Sequence, residues 1–95
     1  MYIILLTYQV DLTEVDKHLE GHRKHLKKYY DNGTFICSGP KNPRNGGVIL
    51  CRALDEDAVV KIANEDPFIT NGVATYELIN FQTSNYLEEF KPFLD

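Results

Sequence analysis

Glu20-Gly21-His22-Arg23-Lys24-His25-Leu26-Lys27-Lys28-Tyr29-Tyr30-Asp31-Asn32-Gly33 runs directly into Thr34-Phe35-Ile36-Cys37-Ser38-Gly39-Pro40, and this change of period sets the fold. At about 100° per residue, Leu19, His22, Leu26 and Tyr29 fall within about 40° of Val15, so one apolar stripe carries an imidazole at its centre. The spacing predicts a single helix that starts at a cap on Asp11 or Thr13 and ends near Asn32, where Asn32-Gly33 supplies a left-handed residue. His18 and His25 fall toward the edge of the stripe, with easier access to water. Gly21 falls on the solvent side, where it costs about 1 kcal/mol relative to Ala and has no packing role. From Thr34 the period becomes two, which places Phe35 and Cys37 on one strand face and Ile36 and Ser38 on the other.

Outward from this passage, residues 2–8 (Tyr-Ile-Ile-Leu-Leu-Thr-Tyr) form a β-branched and aromatic run read as a central strand covered on both faces. Lys41-Asn42-Pro43-Arg44-Asn45-Gly46-Gly47 is a loop by composition. Val48-Ile49-Leu50-Cys51-Arg52-Ala53 then pairs as a hairpin with the strand before it. Asp55-Glu56-Asp57 opens a second helix with carboxylates at its positive end, and Ala58, Val59, Ile62 and Ala63 form its buried face. Pro67 stops that helix near Glu65 by pushing Asp66 out of helical geometry. Residues 73–82 make the last strand, with Tyr76 and Leu78 opposite in facing to Glu77 and Ile79. From Ser84, Tyr86, Leu87, Phe90, Phe93 and Leu94 recur at helical spacing in a tail that must pack on its own domain or on a partner subunit.

The order is β-α-β-β-α-β, an α+β, ferredoxin-like antiparallel sheet with both helices on one face. Apolar residues also alternate onto the other face, and a second copy is the simplest cover, which predicts a homodimer. With 95 residues the chain is one domain, 1–95, with a core over 1–82 and a packing tail over 83–95.

Composition narrows the function classes. A formal charge of -4 opposes general nucleic-acid binding, which needs a basic surface. No apolar run approaches the roughly 20 residues of a membrane span. Met1-Tyr2-Ile3-Ile4-Leu5-Leu6 lacks the basic region and cleavage site of a signal peptide, so the expected compartment is the cytoplasm. Cys37 and Cys51 are read as small buried thiols, with a cross-strand disulfide as the minor alternative, rather than a zinc site or a CxxC redox pair. The histidines and cysteines lack metal-ligand spacing, so no metal and no cofactor are expected. The strand after the loop has no aromatic for base stacking, and Thr7-Tyr8-Gln9-Val10-Asp11 has no CxxC for metal transfer.

Two features remain. His22 on the stripe reads either as a satisfied core histidine or as a functional imidazole. Glu65-Asp66-Pro67-Phe68 reads either as a helix stop with Phe68 as a core anchor or as the source of a carboxylate partner. Because both helices lie on one sheet face, His22 and Asp66 can meet. The carboxylate would fix the ring's tautomer and leave its other nitrogen as general acid or base. Ser38 is a weak nucleophile candidate, so proton transfer is favoured over covalent catalysis. Lys41 and Arg44, on the loop past Gly39-Pro40, are candidates to meet an anionic ligand. The run Arg23-Lys24-His25-Leu26-Lys27-Lys28 reads as a solvated helix face.

His22, eleven residues before Gly33 and followed by Ser38-Gly39-Pro40, together with Asp66-Pro67-Phe68 and Gly72-Val73, resembles the two motifs of the YCII-related (YciI-like) family over roughly residues 1–82. The resemblance implies a dimeric α+β barrel related in fold to muconolactone isomerase. It also implies a His22–Asp66 active site, with Ser38, Gly39, Pro40 and Phe68 as substrate-binding residues. Family members often carry an Arg three residues before the His, where this chain has Leu19. The expected function is cofactor-free acid/base chemistry of lyase or isomerase type on a small cyclic or aromatic-derived substrate. The alternatives are a non-catalytic dimeric module that binds a small ligand or regulates a partner, and a cofactor-free monooxygenase.

Overall fold

The computed structural model describes residues 1–53 and 55–95. Its elements are β1 (Tyr2–Tyr8), α1 (Leu12–Asp16), α2 (Leu19–Asp31), β2 (Phe35–Pro40), β3 (Gly46–Cys51), α3 (Glu56–Asn64), α4 (Pro67–Thr70), β4 (Ala74–Asn80) and a 3-10 helix, Glu88–Phe93. The sheet order is β2-β3-β1-β4, with every neighbouring pair antiparallel. This is the ferredoxin-like arrangement, with β1 central.

Cross-strand partners Tyr2↔Cys51 and Ile4↔Ile49 put Tyr2, Ile4, Ile49 and Cys51 on the helix side. There they form one core cluster with Tyr29 of α2 and Val59 of α3. The opposite face carries Ile3, Leu5, Val48, Leu50 and Ile79 in register. None of these five is fully buried, and Ile79 is 41% exposed.

Four sequence-derived expectations change. The first helix is two helices, because the chain leaves helical geometry at His18 (φ -111°, ψ 6°) and its N–H bonds back only three residues, to Val15 O at 3.0 Å. The break stops the stripe on Val15 from projecting onto α2. The buried line there runs through His25 and Tyr29, so His25, at 8% exposure, is core rather than edge. Gly21 consequently faces α4: a Cβ at that position would lie 3.2 Å from Pro67 Cγ. Its packing role is to let the two helices close together. At the helix end, Gly33 takes the left-handed conformation (φ 78°), as Asn32-Gly33 predicts.

The second change is in β2. Phe35 pairs with Cys51 and Cys37 with Leu50, so a bulge at Ile36 inserts one residue. Phe35 and Cys37 therefore face opposite ways. Cys37 is exposed while Cys51 is buried, and Ser38, opposite Ile49, turns to the helix side. Bulges re-aim the side chains that follow them. Third, β3 begins at Gly46, so the loop is shorter than its glycines imply. Fourth, the tail winds as a 3-10 helix containing Pro92. It folds back on its own chain: Asp95 pairs with the Met1 amino group, and Arg52 donates to the carbonyl of Pro92. Leu87 in that tail is 79% exposed.

Candidate functional site

The site is built at the junction of α3 and α4. Pro67, the first residue of α4, holds Asp66 in extended geometry (φ -65°, ψ 126°). Asp66 then caps α4, with Oδ1 accepting the backbone N–H of Phe68 at 2.9 Å. Its carboxylate is only 2% exposed.

His22 of α2 completes the arrangement. Its Nδ1 lies 2.9 Å from Asp66 Oδ2 and 3.0 Å from Oδ1. An ionised carboxylate only accepts, so Nδ1 carries the proton toward Asp66. The ring stacks on Phe68, with centroids 4.0 Å apart and planes 8° from parallel. Tyr8 meets the edge of Phe68 at 5.8 Å. The imidazole is thus fixed in orientation by one hydrogen-bonded partner and one stacked ring. Nε2 makes no hydrogen bond to the protein among the described residues.

His22 forms part of the wall of a cavity of about 430 Å³, within the range of small-molecule sites. Ser38, Gly39, Pro40 and Phe68 line the same cavity, so all four residues named from the sequence as binding residues meet His22 there. Leu19 and Leu26 supply apolar wall, and Tyr30 hydrogen-bonds Ser38 at the strand. Of the two loop cations, Arg44 lines the cavity and Lys41 does not. Tyr8, Asp16 and Arg23 also line it, and sequence reading missed them. Arg23 was legible only as the neighbour of His22 within a basic run; Tyr8 and Asp16 carried no signal.

Three titratable neighbours lie away from the cavity. Tyr29 donates its hydroxyl to Glu65 Oε1 at 2.7 Å. Burial and then that bond push the phenol up to about 12, while the same bond holds the Glu65 carboxyl below its ordinary range. His25 packs against Tyr29 and Phe35, and its Nε2 is buried without a partner. Burial lowers its affinity for a proton. His22, by contrast, reaches both the carboxylate and the cavity. Among the described residues no group of three or more His, Cys, Asp or Glu could hold a metal ion. No helix among them is long and apolar enough to cross a membrane.

Fold and site define a ferredoxin-like α+β protein with an imidazole on a cavity wall and a buried carboxylate hydrogen-bonded to it. The chain belongs to the YCII-related domain family, whose model matches residues 1–82. No curated protein matches the sequence. Among solved structures, the fold is similar to that of 5-chloro-2-hydroxyhydroquinone dehydrochlorinase from Burkholderia phenoliruptrix AC1100, determined in complex with 2,5-dihydroxybenzoquinone. The TM-score is 0.64 at 14% identity, over 86% of this chain and 94% of that one.

Proposed function

We propose that this protein is a cytoplasmic enzyme of lyase or isomerase type that moves a proton on a small cyclic or aromatic-derived substrate without a cofactor. His22 is the general acid and base, and Asp66 is its orienting partner. The observation that carries this reading is the part-buried hydrogen bond from His22 Nδ1 to Asp66 at 2.9 Å, which leaves Nε2 as the free nitrogen of a residue in the cavity wall. In this tautomer Nε2 holds a lone pair that can take a proton from substrate carbon or oxygen. Asp66 balances the charge the ring then acquires, and the same nitrogen returns the proton at the neighbouring atom or to a leaving group. The apolar wall accommodates a ring, and Ser38 with the Gly39 backbone supplies polar contacts beside it. Elimination and isomerisation both fit this proton inventory. The similar fold of a protein named for a dehydrochlorination makes chlorinated hydroquinones the first substrates to test.

The reading includes a homodimer in which the face bearing Ile3, Leu5, Val48, Leu50 and Ile79 packs on a second copy, because burying it removes a continuous apolar surface from water. It also treats residues 1–95 as one domain, with the tail 83–95 as its own packing segment. The test is turnover of chlorinated hydroquinones and small lactones by wild type and His22→Ala. Loss of turnover in the variant is expected, and equal turnover would remove His22 from the mechanism. Monomeric behaviour in sedimentation at micromolar concentration would refute the dimer.

A second reading is a non-catalytic dimeric module that binds a small ligand or regulates a partner. It is favoured by the double use of Asp66, whose carboxylate also caps α4 and so has a structural role of its own.

A further inference from the structure

We propose that the cavity takes a ring-bearing carboxylic acid whose carboxylate docks on Arg44, with Arg23 adding positive charge, and that Asp16 is an internal anion which the ligand displaces. This substrate class deepens the acid–base reading above and rests on it for the chemistry, but not for the binding.

Three elements bring charge to the cavity that His22 lines: α1 carries Asp16, α2 carries Arg23, and the β2–β3 loop carries Arg44. Arg44 Nη2 donates to Asp16 Oδ1 at 2.7 Å, and its guanidinium carbon sits 6.0 Å from the centre of the Tyr8 ring. The guanidinium is thereby held over an aromatic side chain of the cavity wall. Asp16 engages one of its nitrogens, whereas a free carboxylate can take two in parallel. The Asp16 side chain is half exposed and that of Arg44 about a third exposed, and such pairs are weak and exchangeable. Arg23 has no ion-pair partner among the described residues. Two cations against one carboxylate leave a formal charge of +1 among these three residues. Asp66, which would repel an anion, is buried behind the His22 ring and is not part of the cavity wall. Leu6, Leu19, Leu26 and Ile49 provide the hydrocarbon surface beyond the charged end. An anion bound by Arg44 would therefore place its ring in the same cavity as His22.

The test uses benzoate, with benzamide as its neutral counterpart, titrated into the full chain and followed by backbone amide shifts. Benzoate is expected to bind about tenfold or more tightly than benzamide, and Arg44→Gln should weaken it by a similar factor. Asp16→Asn should tighten benzoate roughly two- to fivefold by removing the competitor and leave benzamide unchanged. Dispersed amide spectra verify that each variant is folded. Equal affinity for benzoate and benzamide, benzoate binding unmoved by Arg44→Gln, or no saturable benzoate binding in either wild type or Asp16→Asn would each overturn the proposal. His22→Gln leaves Arg44, Arg23 and Asp16 in place and should keep the preference for benzoate over benzamide. Normal turnover in that variant, with benzoate still captured through Arg44, would sink the acid–base reading alone.

Discussion

Asp66 is the residue through which the site can be tested most sharply, because its carboxylate makes two contacts that different substitutions separate. In Asp66→Ala, the N–H of Phe68 loses its cap and His22 Nδ1–H loses its acceptor. Loss of a cap costs about 1 kcal/mol, and a buried donor left unpaired costs about 1–3 kcal/mol. The sum, about 2–4 kcal/mol, lowers Tm by roughly 10–30 °C for a chain this short. Asp66→Asn has nearly the same shape and a different consequence. The Phe68 N–H requires an oxygen at the Oδ1 position, so the amide NH2 falls at the Oδ2 position, 2.9 Å from Nδ1. Oδ1 also lies 3.0 Å from Nδ1 but already accepts the Phe68 N–H, so the donor at the shorter contact turns Nδ1 into an acceptor and moves the ring proton to Nε2. The expected cost in stability is below about 1 kcal/mol, yet Nε2 can no longer act as a base in the neutral ring. Long-range nitrogen–proton correlation on the His22 imidazole reads the tautomer directly, and thermal unfolding reads the stability. Wild type is expected to give the Nδ1–H form and Asp66→Asn the Nε2–H form. An unchanged tautomer in Asp66→Asn, or an Asp66→Ala protein within about 0.5 kcal/mol of wild type, would refute this account of the pair.

Four further outcomes are expected. Tyr29→Phe removes the donor to Glu65 at a cost of about 1 kcal/mol. Because the Tyr29 phenol is raised from 10.0 to about 12 in the fold, wild-type stability from this pair holds below pH 10 and falls as pH rises through about 12; denaturant titration of Tyr29→Phe should lack that alkaline loss. His25 binds its proton less readily in the fold than its ordinary 6.5, so its contribution is present above that pH and is lost as pH falls below it. Its neighbours Tyr29, Phe35, Glu65, Asp66, His22 and Lys28 remain in His25→Leu, which should show a flatter change in urea midpoint between about pH 7 and about pH 5. Gly46→Ala would place a Cβ 1.8 Å from the Leu6 carbonyl oxygen, and a loss of about 3 kcal/mol or more in chemical denaturation is expected, because neither backbone can yield without breaking the β1–β3 ladder. A thiol reagent should label Cys37 in the native protein and spare Cys51, whose thiol burial pushes up to about 11. Labelling of Cys37 should slow as protein concentration rises, since Cys37 lies on the sheet face assigned to the second copy.

Much of the fold was legible because local patterns and tertiary demands agree. The run at 2–8 is apolar on both faces, and β1 lies at the sheet centre. Asp55 caps α3, as three carboxylates at a helix start imply, and Asp11 caps α1. That His22 and Asp66 could meet was legible from topology, since two helices on one sheet face bring the end of one beside the other, and the resemblance to the family motifs pointed to the same two residues. The misreadings have a common origin in single-residue irregularities. A break at His18 shifted the buried line of α2 to His25 and Tyr29, and an inserted residue at Ile36 reversed the facing of Cys37 and Ser38. Periodicity carries no record of either, because each local conformation is allowed for those residues and only packing selects it.

The order of strands and helices and the central strand were therefore determined by the sequence itself, through hydrophobic period and the fixed backbone preferences of Asp66-Pro67 and Asn32-Gly33. The tertiary structure decided which histidine reaches the carboxylate, how closely Gly21 packs on Pro67, and which cations share the cavity with His22. Those outcomes depend on distances between segments far apart in the chain. Asp16 and Arg44 are 28 residues apart and His22 and Asp66 are 44 apart, and the helix packing on the sheet that joins them is a property of the whole core rather than of any one stretch.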